Sequence, residues 1–152
     1  MKDKADIIAL PPIIFGAFVA LGLAANRFWP VPLSSAGFWN WIGIVLIVTS
    51  LVIAGFAVRT MKLAKTDVSP HRPTTAIVRD GPFGYTRNPL YLSLVMIFIG
   101  IAACINSLTM LVFAIPLAII LDMGVIVPEE RYLERKFGDG YRTYKDTVRR
   151  WL

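Results

Sequence analysis

The chain has one cysteine and one histidine in 152 residues. A lone cysteine, Cys104, excludes an intrachain disulfide, and its place in an apolar run predicts a small buried hydrophobe. One imidazole and one thiol do not make a metal centre. No strand is followed by a glycine-rich turn, and strand–helix alternation is missing, so a soluble nucleotide-binding plan is excluded. No repeat or low-complexity stretch occurs. Acidic residues are few, 10 against 16 Lys+Arg, for a net charge of +6. The excess lies in loops beside apolar spans, which points away from nucleic acid and toward membrane orientation and anionic lipid.

What the chain has in abundance is apolar length. Hydrophobic residues make up 56%, too many for an ordinary soluble domain. The pattern predicts a single all-α, polytopic membrane domain over residues 1–152. About four transmembrane helices are expected, at 7–28, 38–61, 89–105 and 108–127. The first could instead be a cleaved signal peptide with Ala24-Ala25 near the cleavage site, but its apolar part is longer than a usual signal core. The third is short and pairs with the fourth through an Asn106-Ser107 turn as a helical hairpin. Trp29, Trp39 and Trp41 fit an interfacial aromatic belt.

Charge orients these spans. Of the 16 Lys+Arg, Arg27 alone falls on one side. The others flank the first span, the 62–88 loop and the 128–152 tail. The positive-inside rule therefore makes the termini and the 62–88 loop cytoplasmic, in the expected setting of a bacterial or archaeal inner membrane. The tail is amphipathic: Tyr132, Leu133 and Phe137 share one helical face, and Tyr141, Tyr144, Val148 and Trp151 another. Gly138 and Gly140 are expected to break it in two.

The chain is organised around residues 81–91, where the basic loop meets the third apolar segment. Gly81-Pro82 and Asn88-Pro89 are turn signals, and Asn88 is expected to be extended with a helix starting at Pro89. Phe83, Tyr85 and Tyr91 bring rings and Arg87 a guanidinium to the mouth of that helix; each ring could equally belong to the interfacial belt. Glu129-Glu130 follow Pro128, where acidic residues suit a helix start. Neighbouring carboxylates cannot share one face, so at most one points into any site and the other meets water or a neighbouring arginine. Asp122 is an ionisable group inside a span, either functional or a partner for Arg87 or a backbone donor.

Gly81-Pro82-Phe83, Arg87-Asn88-Pro89 and Tyr91, followed about 40 residues on by Glu129-Glu130, Leu133, Phe137-Gly138, Tyr141 and Tyr144, resemble a superfamily of integral-membrane methyltransferases. This is the isoprenylcysteine carboxyl methyltransferase and phospholipid methyltransferase superfamily. The resemblance covers roughly residues 70–152.

It implies S-adenosylmethionine bound at the cytoplasmic face between loop, hairpin and tail. By position, cofactor contacts would come from Thr75, Ala76, Ile77, Val78, Phe83, Asn88, Pro89, Leu90, Tyr91 and Glu129. Arg87, Asn88 and Glu129 would form the catalytic set. Asp122 and Val125 would face the substrate. Many relatives have histidine where Asn88 stands; asparagine can orient a cofactor but cannot take a proton. Prenylcysteine enzymes carry an arginine where Val125 stands, a departure that argues against a prenylcysteine carboxylate. No metal is implied.

The residues agree with a methyl donor. Glu129 can balance a cation, Arg87 or free backbone N–H groups can meet a carboxylate, and ring faces suit adenine or sulfonium. In-line transfer then rests on alignment and desolvation. An amine acceptor must lose a proton, and His71 is the one unperturbed neutral-pH base, although loop histidines are usually just solvated. The expected acceptor is a membrane lipid or lipophilic small molecule: an isoprenylcysteine-like acid, a phospholipid amine or a small thiol. The competing class is a non-enzymatic relative that binds lipid or a partner.

Overall fold

The computed structural model describes residues 5–35, 37–67 and 74–152. Helix α1 is Pro11–Phe28, α2 Trp39–Leu63, α3 Pro89–Cys104, α4 Leu108–Val112, α5 Ala114–Leu121, α6 Val127–Phe137 and α7 Asp139–Thr147. A 3-10 turn, Gly81–Gly84, precedes α3, and a π turn, Asp122–Ile126, joins α5 to α6. Among the described residues no strand forms beyond an isolated bridge between Pro32 and Ser107. His71, with Arg72 and the flanking prolines of the loop, lies outside the described residues.

Three helices are long and apolar enough to cross a membrane: α1, α2 and the run Leu108–Phe137. Their outer faces carry exposed large apolar side chains, including Ile13, Leu21, Val45, Leu51, Phe56, Ile115 and Ile119. Water would penalise such a surface, whereas lipid does not. Helix α3 has 16 residues, about 24 Å at 1.5 Å per residue, against roughly 30 Å of hydrocarbon.

The core forms where α1 and α3 meet the α4–α5 run. Phe98, Met110, Leu117, Leu121 and Val125 are fully buried there, with Ile14 from α1 against them. The hairpin turn closes as Asn106 takes φ 52°. Ser107 caps α4, its Oγ accepting from Met110 N at 2.9 Å and donating to Asn26 Oδ1 at 2.6 Å. Helices α2 and α3 approach through glycines. A Cβ at Gly43 would stand 2.5 Å from Cys104 Sγ and 2.6 Å from the Gly100 carbonyl oxygen. Such small-residue contacts let membrane helices gain backbone-level packing. Gly43→Val is therefore expected to destabilise the protein by about 1–3 kcal/mol, read as a lower thermal midpoint in detergent. An unchanged midpoint would contradict this packing.

The helix of the fourth apolar run continues beyond Val127 as a polar segment to Phe137. Pro128 stands at the start of α6, preceded by the π turn. The proline lacks the N–H that would bond the carbonyl four residues back. That carbonyl, of Gly124, accepts instead from Ile8 N at 3.1 Å. The tail breaks at Gly138 alone, whose φ of 54° favours glycine, whereas Gly140 lies inside α7.

Candidate functional site

The residue before a proline avoids helical geometry, and Asn88 takes φ −129° and ψ 54° before α3 starts at Pro89. Its backbone N–H donates to Thr86 Oγ1 at 3.2 Å. The turn at Gly81–Gly84 buries Phe83, whose carbonyl accepts from Tyr144 Oη at 2.6 Å. Burial pushes the Tyr144 hydroxyl up to about 12, so it stays protonated as a donor at neutral pH. Arg79 lies over the same ring, 5.8 Å from its centroid, and donates to the Gly140 carbonyl. These contacts seat α7 on the 81–84 turn.

The two adjacent carboxylates diverge. Glu129 Oε2 accepts from Tyr91 Oη at 2.7 Å. Glu130 turns the other way. Its Oε1 accepts from Arg87 Nη2 at 2.8 Å and from Arg87 Nε at 3.1 Å. Its Oε2 accepts from Arg150 Nη2 at 2.8 Å. The Arg87 and Glu130 side chains are only 9% and 6% exposed, so the pair is desolvated and must be well bonded to persist. Arg87 Nη1 completes the arrangement by donating to the carbonyls of Lys145 at 2.9 Å and Val148 at 2.8 Å.

A cavity open to solvent lies at this end of the bundle. Its walls combine Ala76, Ile77, Val78 and Phe83 from the loop with Asn88, Pro89, Leu90 and Tyr91 from the start of α3. Glu129, Glu130 and Leu133 close it from α6, and Tyr141 and Tyr144 from α7. Met61, Thr66, Asp67, Thr74 and Arg87 complete the lining. Among the described residues Glu129 has no cationic partner; its bond is to a neutral hydroxyl. One unbalanced carboxylate beside ring faces and backbone suits an organic cation carrying an aromatic group.

Several expected residues lie elsewhere. Thr75 is exposed and outside the lining, because its hydroxyl donates to the Lys65 carbonyl at 2.8 Å. Val125 is fully buried in the helical core. Asp122 is also outside the lining and does not pair with Arg87; it accepts from Arg150 Nη1 at 3.2 Å and Trp151 Nε1 at 3.0 Å. Tyr85 is 82% exposed and offers no ring to the cavity. Arg87 lines the cavity, but four of its five N–H groups are committed to Glu130 and the tail carbonyls. Sequence reasoning missed Thr66 and Asp67, which follow α2 with no local signal. It also missed Arg150, which read as one of many orienting charges.

Comparison with known proteins bears on this arrangement. A protein of Haemophilus influenzae described as uncharacterized is 40% identical over 63 residues, 41% of this chain and the whole of that protein. The model of the phospholipid methyltransferase family matches residues 38–140, which take in α2, the loop, α3 and most of the cavity wall. With well over half its length matched and that match spanning both arms of the cavity, the chain belongs to the phospholipid methyltransferase family.

Proposed function

We propose that the protein transfers a methyl group from S-adenosylmethionine to a lipophilic acceptor at the cytoplasmic surface of the membrane. The observation that carries this reading is the Glu129–Tyr91 pair, a carboxylate without a cationic partner among the described residues, facing a cavity beside the membrane helices. When bound, S-adenosylmethionine supplies an electrophilic methyl on a sulfonium, and the residues present fit it. Glu129 balances positive charge, Tyr91 orients the carboxylate, and Phe83 with Ala76, Ile77 and Val78 offers an apolar seat for the adenine. Asn88 orients by hydrogen bonds, since an amide takes no proton. Catalysis then rests on alignment and on exclusion of water from the reacting atoms.

In this reading α3 is a fourth, short crossing, and the whole chain is one domain. The termini and the 62–88 loop face the cytoplasm, where the basic residues gather. The acceptor is a phospholipid amine, an isoprenylcysteine-like acid or a small thiol.

Titration of S-adenosylmethionine into the detergent-solubilised protein tests the reading. Saturable binding is expected. Tyr91→Ala should weaken it about tenfold or more, the worth of a hydrogen bond to a charged group. No binding by the wild-type chain would favour a non-enzymatic lipid-binding relative. Transfer of a labelled methyl group into native membrane extract, followed by identification of the labelled species, would name the acceptor.

A further inference from the structure

The last residues of the chain stand outside the cavity lining, yet the residues that shape the cavity rest on them. The Arg150 carbonyl accepts from Thr86 Oγ1 and from Asn88 Nδ2, each at 3.0 Å. Arg87 N donates to the Arg149 carbonyl at 2.9 Å. On its other side Arg150 bonds two carboxylates, Glu130 at 2.8 Å and Asp122 at 3.2 Å. Trp151 Nε1 adds a second donor to Asp122 at 3.0 Å. Main chain and side chain of one residue thus tie the loop before α3 to the π turn and α6.

We propose that Arg150 is a positioning residue of the methyl-donor site, acting through Asn88 and Glu130, with Asp122 as its anchor. The inference rests on the function proposed above. Three physical points support it. With Nδ2 donating to the Arg150 carbonyl, Asn88 keeps Oδ1 as the end that can accept from a ligand N–H. Glu130 shares its two oxygens between Arg87 and Arg150, so loss of either guanidinium lets the other arginine and the neighbouring Glu129 reorient.

The third point separates positioning from adhesion. The Arg150 side chain is 35% exposed, so its ion pairs are partly screened and hold the tail only weakly. The tail has stronger anchors in the Arg87–Val148 and Tyr144–Phe83 bonds. Removing the Arg150 guanidinium therefore leaves α7 docked, but takes one of two guanidinium partners from Glu130 and the Asp122 anchor from the main chain whose carbonyl holds Asn88.

The test compares wild type, Arg150→Lys, Arg150→Ala and Arg142→Ala, all full-length in detergent, by S-adenosylmethionine titration and by thermal unfolding. Arg142 is an exposed tail arginine paired with Glu134 and Asp139, and serves as the control for lost charge. Kd is expected to rise about tenfold in Arg150→Ala, to recover partly in Arg150→Lys, and to stay unchanged in Arg142→Ala. Thermal midpoints should stay close together. Wild-type affinity in Arg150→Ala overturns the proposal, as does a loss of affinity that only follows a falling midpoint. Should Arg150→Ala not fold, wild-type affinity in Arg150→Lys overturns it equally. Absence of binding by the wild-type chain would instead bring down the proposed function, and this inference with it.

Discussion

Glu129→Ala is expected to lower S-adenosylmethionine affinity about 100-fold or more while leaving the protein folded. The size follows from losing a charge that meets an oppositely charged group away from water, worth about 2–5 kcal/mol. The folded state tolerates the change because among the described residues Glu129 has no cationic partner to strand; there the Tyr91 hydroxyl loses its acceptor. Glu129→Gln separates charge from shape. It keeps an acceptor for Tyr91 and nearly the same volume, and is still expected to lose most of the affinity. Equal affinity in wild type and Glu129→Gln would refute the electrostatic role. Affinity kept even in Glu129→Ala would remove Glu129 from the site.

Arg87→Ala should act on the fold before it acts on any ligand. The change leaves Glu130 buried with one guanidinium instead of two and orphans the carbonyls of Lys145 and Val148. Breaking a buried ion pair by removing one partner costs about 3–5 kcal/mol. The expected result is release of α7 from the 81–84 turn, seen as a lower thermal midpoint and as rapid tryptic cleavage within residues 142–150. Arg87→Lys should recover little, since one ammonium cannot reproduce the fork that meets a carboxylate and two carbonyls. A tail equally resistant to trypsin in Arg87→Ala would show that other contacts hold it. These two substitutions separate the neighbouring carboxylates: one change is felt in ligand affinity, the other in the attachment of the tail.

The contrast between Glu129 and Glu130 also marks how far local reasoning reaches. Successive helical residues point in different directions, so divergence of the pair was legible without coordinates. Which carboxylate meets the arginine was not, because Arg87 lies some 40 residues away and the choice depends on how α6 rotates against α3. The π turn at Asp122–Ile126 shifts that rotation, and no local pattern announces it. It arises where Pro128 lacks a donor and the Gly124 carbonyl finds Ile8 instead.

Arg87 and Asp122 show the same limit from the other side. A guanidinium beside an aromatic mouth looks available to a ligand carboxylate, and an aspartate inside a span looks functional. Folding brings the chain's end to both of them, with Arg150 and Trp151 on Asp122 and the tail carbonyls on Arg87. Tail arginines carry no periodic or spacing signal that distinguishes Arg150 from Arg149, which is exposed.

Sequence by itself determined the all-helical membrane character, the turn and helix start at Asn88-Pro89, and the residue types available to the cavity. Those properties follow from apolar length, proline stereochemistry and side-chain chemistry, all local to the chain. Tertiary structure alone decided that Glu129 stays unbalanced while Glu130 is neutralised, that Thr75, Asp122 and Val125 leave the cavity, and that Arg150 reaches Asn88. Each of those outcomes depends on groups distant in sequence competing for the same buried hydrogen bonds, and packing settles that competition.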